Sequence, residues 1–186
     1  MARLPYATRD DIPEEFQYLW DRAGTVTATN APANIFRTLA NNPAIWQQYS
    51  RLGNALWTKS GIDTATREIV ILRTAILQHS PYEWHQHVRI GREAGLTDER
   101  ITALHHWRGS DLFSPAERAI LAYVDAAAQS DHPLADVHDE LAAHFPPATI
   151  VAINLLTGFY AMTARFLGGM EVETETPFIG WELEGA

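Results

Sequence analysis

From Ile12 to Gly169 apolar residues recur at the three- and four-residue spacing of a helix, and runs alternating apolar with polar between turn pairs are hard to find. That pattern confines the chain to an all-α fold. With 186 residues, 46% of them hydrophobic, it has enough apolar side chain for one domain of ordinary size, without metal or disulfide staples. Proline, glycine and capping residues divide the pattern into helices. Asp11-Ile12-Pro13-Glu14-Glu15 opens the first, through Phe16, Leu19 and Trp20 to Gly24. Ile35, Phe36 and Leu39 make a short one ending before Asn41-Asn42-Pro43, and Pro43 starts another carrying Ile45, Trp46, Tyr49, Leu52 and Leu56.

Asp63 caps a helix that runs to about His79 and is apolar on more than one face, which makes it central. Ser80-Pro81 breaks it and starts the next, which Gly95 closes. Thr97-Asp98-Glu99-Arg100 begins a shorter helix toward Trp107. Ser114-Pro115-Ala116-Glu117 has the capping-box form before Ile120, Leu121 and Val124. A loop around Ser130-Asp131-His132-Pro133 precedes helices at about Ala135 to His144 and Pro147 to Leu167. The acidic stretch 170–186 contains Glu171, Glu173, Glu175, Glu182 and Glu184 and no base. Its Pro177-Phe178-Ile179-Gly180-Trp181 implies packing on the domain or on a neighbouring subunit. No linker divides the chain, so residues 1–186 are read as one domain.

Lys and Arg total 14 against 23 Asp and Glu, a net charge of −9 that opposes approach to nucleic acid phosphates or an anionic membrane surface. No nucleic acid and no membrane is expected as a partner. The N-terminal stretch has no apolar signal core and no apolar run approaches the ~20 residues of a spanning helix, so a cytoplasmic setting is expected. Cysteine is absent, which removes disulfides, thiolate nucleophiles and thiolate metal sites. Lys59, the one lysine, lies in Thr58-Lys59-Ser60-Gly61 and is discounted as a Schiff-base residue.

The chemistry concentrates at the helix break. Arg67-Glu68 starts the central helix and Ser80-Pro81-Tyr82-Glu83-Trp84-His85-Gln86-His87 starts the next. Glu83 and His87 are four apart and share a helix face, while His85 points elsewhere. If the two helices form an antiparallel hairpin, Glu68 comes toward Glu83 and His87. Two carboxylates beside an imidazole, roofed by Tyr82 and Trp84, separate pKa values and supply an acid and a base near neutral pH. The plain alternative is a solvated helix ion pair with no substrate. Trp46, Trp57 and Trp84, with Phe36 and Tyr49, are either the wall of an apolar pocket or ordinary core. The spacing is not that of a His-Glu-x-x-His metal site, so no metal is assigned. His105-His106 reads as a surface pair, and His132, His138 and His144 do not share a face.

Glu68, the central apolar helix, Tyr82-Glu83-Trp84-x-x-His87 and Gly95-Leu96-Thr97-Asp98-Glu99 together resemble the core of the carboxymuconolactone decarboxylase family, which includes AhpD-like alkylhydroperoxidases. The resemblance is strongest over about 63–104. It is looser at Ala40-Asn41-Asn42-Pro43, Ser114-Pro115-Ala116-Glu117-Arg118 and Ala164-Arg165-Phe166-Leu167. Residues 1–60 form an N-terminal helical extension without counterpart in the shorter decarboxylases.

The resemblance implies an AhpD-like helical domain built around the hairpin. The peroxidase branch carries Cys-x-x-Cys-x-x-x-His, whose cysteine positions here are Ser80 and Glu83, with the relay glutamate at Glu68. A serine forms neither a sulfenic acid nor a disulfide, which excludes thiol peroxidase chemistry through this motif. The cysteine-free branch implies cofactor-independent decarboxylation or related lyase or isomerase chemistry on a small carboxylated lactone or aromatic-derived compound, with Glu68, Glu83 and His87 as catalytic residues. Tyr82, Trp84, Ser80, His79 and Arg73 are the expected pocket residues, and Arg67 or Arg73 is the candidate for a substrate carboxylate. The alternative is a non-catalytic ligand-binding or assembly protein on the same scaffold. Helices apolar on several faces imply a homo-oligomer, a dimer, trimer or hexamer.

Overall fold

The structure is a computed structural model that describes residues 2–24, 31–129 and 135–176. These form helices and connecting turns with no strand among them, as the periodicity requires. In chain order they are α1 (Gln17–Arg22), α2 (Asn34–Leu39), α3 (Pro43–Thr58), α4 (Thr64–Leu77), α5 (Pro81–Glu93), α6 (Asp98–Ala103), α7 (Pro115–Gln129), α8 (Ala135–His144) and α9 (Pro147–Met170). Short 3-10 turns occupy Arg9–Asp11, Glu14–Phe16 and Leu104–Gly109.

Most boundaries fall where the capping residues place them. Asp63 accepts the Thr66 N–H at 2.9 Å at the start of α4, and Ser114 and Glu117 exchange bonds as a capping box before α7. Gly95 takes φ +93, and its N–H and that of Leu96 bond back to Arg92 and Gly91, closing α5. The first helix differs from expectation. The Asp11 carboxylate turns back to accept from the Thr8 N–H and hydroxyl, at 2.8 and 2.7 Å, so it does not cap forward and α1 begins only at Gln17.

The described chain divides into two compact units. One holds the residues up to Ala55 together with those from Phe166 on. Here the acidic stretch packs through a carboxylate: Glu175 is buried and accepts the Asn34 N–H at 2.8 Å, at the N-terminus of α2, where the helix dipole favours an anion. Phe178, Ile179 and Trp181, expected to do this packing, lie outside the described residues, as does the loop around Ser130–Pro133.

The other unit, Leu56–Arg165, carries the hairpin. α4 packs on α5 and α7, and α7 on α8. Ile69, Leu72, Trp84, Val88, Ile101, Leu104, Trp107 and Leu121 form its apolar core. α4 is buried from Arg67 through Ala75, which is why its sequence is apolar on more than one face. Arg73 lies in this buried stretch, its Nε 2.6 Å from Asp125 of α7 and its Nη1 donating to the Leu104 carbonyl at 2.8 Å. Asp125 also accepts from the Trp107 indole at 3.1 Å and from Arg108.

α9 corrects the expectation that no apolar stretch nears membrane-spanning length. It has 24 residues and a mean hydropathy of 1.5, enough by length and composition, though half of that stretch is buried in the protein. Thr149, Asn154, Thr157 and Thr163 break the apolar run in the sequence without breaking the helix; Thr157 and Thr163 donate to the carbonyls of Ile153 and Phe159.

Removing one partner of a buried ion pair leaves the other charge uncompensated. Asp125→Ala is therefore expected to lower stability by about 3–5 kcal/mol in urea unfolding, with the far-UV circular dichroism of the native state retained.

Candidate active site

The hairpin closes as the spacing requires. The short link Gln78–Ser80 turns the chain back, and the Ser80 N–H bonds the Ala75 carbonyl. Glu68, in the second turn of α4, thereby faces His87, at the middle of α5. The Glu68 carboxylate receives the His87 Nδ1–H at 2.7 Å through Oε2, while its Oε1 accepts from Arg67 Nε at 3.0 Å. The other imidazole nitrogen, Nε2, lies 3.4 Å from Glu83 Oε2, one turn back along α5. The row Arg67–Glu68–His87–Glu83 thus alternates cation and acid, with side-chain exposures of 9%, 0%, 7% and 6%.

Burial sets the proton affinities. It pushes the Glu83 carboxyl up to about 7, the nearby Glu68 charge adding to the rise and His87 opposing it. Burial works against charge on His87, but the Glu68 carboxylate, by charge and by hydrogen bond, and then Glu83 outweigh it and hold the imidazole above its ordinary range. The arrangement stores a proton between Nε2 and Glu83 near neutral pH, with Glu68 fixing the far side of the ring.

Two aromatic rings flank the imidazole. Tyr160 of α9 stands at 90° to it with centroids 5.0 Å apart, and Trp57 at the end of α3 at 65° and 6.0 Å. The rings are tied to each other, the Trp57 Nε1–H donating to the Tyr160 hydroxyl at 2.9 Å. Arg67 lies over the Trp57 ring at 4.0 Å and donates to the Trp57 carbonyl at 3.3 Å.

The structure thus brings Glu68, Glu83 and His87 together. Of the expected pocket residues, Arg73, Trp84 and Ser80 have other partners. Arg73 is held by Asp125. His79 is exposed beyond α4 with φ 51. Ser80 caps α5, accepting the Glu83 N–H at 3.4 Å. Tyr82 is buried in the first turn of α5. Trp84 belongs to the apolar core and meets His105 edge-on at 5.0 Å. That contact also takes His105 out of a surface pair with exposed His106, where the 3-10 turn departs from helical geometry. Sequence reasoning named Trp57 only among possible wall residues and missed Tyr160. The available signal was a phenol within an apolar helix, since a buried tyrosine needs a hydrogen-bond partner. Among the described residues no group of three or more His, Asp or Glu side chains is arranged to hold a metal ion.

The sequence profile of the carboxymuconolactone decarboxylase family matches residues 43–126. This stretch belongs to the carboxymuconolactone decarboxylase family. The match is wider than the core at 63–104, reaching back through α3 and forward through most of α7. The uncharacterized protein YnjA of Escherichia coli is 30% identical over 89 residues, 47% of this chain and 48% of that protein. The match therefore spans about half the length of that relative. A crystal structure of a protein of unknown function from Agrobacterium tumefaciens is 26% identical, with a TM-score of 0.69 over 73% of this chain and 93% of that one. An uncharacterized peroxidase-related protein with an AhpD core, from Ralstonia eutropha, is 19% identical with a TM-score of 0.81, over 96% and 94%. The fold is AhpD-like. The chain has no cysteine.

The raised affinities of Glu83 and His87 make stability pH-dependent. Both groups hold protons more tightly folded than unfolded, so stability is fullest below their unfolded pKa values and is lost as pH rises through the folded ones. For Glu83 that window runs from the ordinary glutamate value of 4.5 to about 7. In Glu83→Gln this part of the decline is expected to disappear from urea-unfolding free energies measured across pH. In Glu68→Gln the His87 midpoint, followed by NMR of the ring, is expected to fall.

Proposed function

We propose that this protein is a small-molecule enzyme that moves protons with Glu68, Glu83 and His87, in decarboxylation or a related lyase or isomerase reaction on a small carboxylated lactone or aromatic-derived compound. The single observation carrying this reading is the buried imidazole held between two carboxylates, one of them with its proton affinity at about 7. Such a pair offers both an acid and a base at neutral pH.

In a decarboxylation, the bond from ring carbon to carboxylate breaks and carbon dioxide leaves. The electron pair remains on the substrate as a dienolate. His87, as the imidazolium, meets the developing negative charge and then returns a proton to carbon. Glu68 keeps Nδ1 protonated and the ring oriented, and Glu83 restores the proton at Nε2. None of these steps asks for sulfur or a cofactor. Arg67 is committed to Glu68, which leaves it a poor anchor for a substrate carboxylate. A cytoplasmic setting belongs to this reading, as does self-association, for which the exposed Val151, Leu155 and Met162 on α9 supply an apolar stripe that a second copy covers.

One observation favours the second reading, a non-catalytic ligand-binding or assembly protein: Glu68 already has a cation on each side within the chain. Turnover decides between them. Purified protein assayed against a panel of carboxylated lactones is expected to release carbon dioxide or isomerise a member of the panel, and His87→Gln to lower that turnover roughly a hundredfold. The pH profile is expected to carry a limb near 7 that Glu83→Gln abolishes. Binding without turnover of any member supports the second reading.

A further inference from the structure

The site is nearly closed. Glu68, Glu83, His87 and Arg67 expose at most 9% of their side chains, so a ring-sized reactant needs a wall to move before it can lie against the imidazole. Tyr160 is buried within the long helix α9, with more than two turns of helix on either side of it. Trp57 is different. It is half-buried, sits in the last turn of α3, and is followed by a bend that reaches Gly61 at φ +76. Everything its indole does is also within reach of a small ring: N–H to the Tyr160 hydroxyl, face to the Arg67 guanidinium, edge toward His87.

We propose that Trp57 is the gate of the site, latched by its hydrogen bond to Tyr160, and that its indole occupies the seat of the reactant, a flat unsaturated ring bearing an N–H or O–H donor. Indole nitrogen can only donate, so in the closed state the Tyr160 oxygen is the acceptor, and an incoming ring with a donor restores that bond without turning the hydroxyl. Because Arg67 is already neutralised by Glu68, it offers the ring a cation to stack on and places no demand for a second charge. A ring in this seat lies beside the imidazole, where the proton is delivered. This deepens the proton-transfer reading and rests on it for the role of His87.

The test needs no turnover, so its failure is separable from that of the enzymatic reading. Diethyl pyrocarbonate acylates accessible neutral imidazole, and peptide mass spectrometry resolves His87 from the exposed His138, which serves as the internal standard. Rates are compared at their high-pH plateaus, so that a changed His87 proton affinity does not pass for access. In the wild type His87 is expected to react far more slowly than His138. Trp57→Phe and Tyr160→Phe each remove the latch while keeping a ring, and are expected to raise the His87 rate roughly five- to tenfold, the worth of one hydrogen bond. The double variant is expected to exceed neither single variant, because all three lack the same bond. In Trp57→Ala, where the gate is gone, added indole is expected to restore protection of His87, and indene, flat but without the N–H, to protect much less. An unchanged rate in both latch variants, or additive rates in the double variant, overturns the gate. Equal protection by indole and indene, or none by either, overturns the donor-bearing seat.

Discussion

A carboxylate with no exposure at all organises this protein's helix hairpin. Glu68 is buried in the first turns of α4, and an ionised carboxyl at such a place is tolerated only with its oxygens paired. One oxygen takes Arg67, its neighbour in sequence, and the other takes His87 from the next helix. Slipping α5 against α4 by a turn would strand that oxygen in an apolar core. The register of the hairpin and the placement of the imidazole are thus one requirement. The geometry of the Glu68–His87–Glu83 row follows from satisfying a buried charge.

Two arginines on α4 show how burial divides similar residues between tasks. Arg67 and Arg73 both lie near the motif in sequence and both are buried. Arg67 faces the site, where Glu68 and the Trp57 face hold it. Arg73 lies on another side of the same helix and ties α4 to Asp125 on α7, next to the apolar core. Nothing in their spacing from Glu83 and His87 separates the two, because the partner that decides each is remote in sequence or provided by an aromatic face.

The same distinction marks what was legible in the sequence. Helix positions followed from apolar spacing and from Asp63, Ser80-Pro81, Gly95 and Ser114, all of which act within a turn of their own position. The meeting of Glu68, Glu83 and His87 was legible because one break joins two adjacent helices, leaving few ways to pair them. Tyr160 was not, since α9 reaches the imidazole by long-range packing and carries no local mark of it. Trp84 misled for a related reason. Its spacing from His87 puts it on much the same helix face, but a large indole near the edge of that face falls to whichever side offers more apolar area, here the core around Ile69, Leu72 and Val88. Arg73 and His79 were judged by sequence proximity, which a helix converts into different faces.

The family resemblance also explains why loss of sulfur need not mean loss of chemistry. At the two positions where the resemblance puts the peroxidase cysteines, this chain has Ser80, spent on capping α5, and Glu83, aimed at the imidazole. The second exchange is the informative one. A thiolate beside His87 would give a redox-active nucleophile, whereas a carboxyl brought to a proton affinity of about 7 by burial gives a group suited to exchanging a proton with the ring. Glu68 and His87 serve either arrangement, since holding Nδ1–H and presenting Nε2 is useful wherever a proton must move. In this chain the group that faces Nε2 is therefore a carboxyl, buried on the hairpin, and the row offers no sulfur to oxidise.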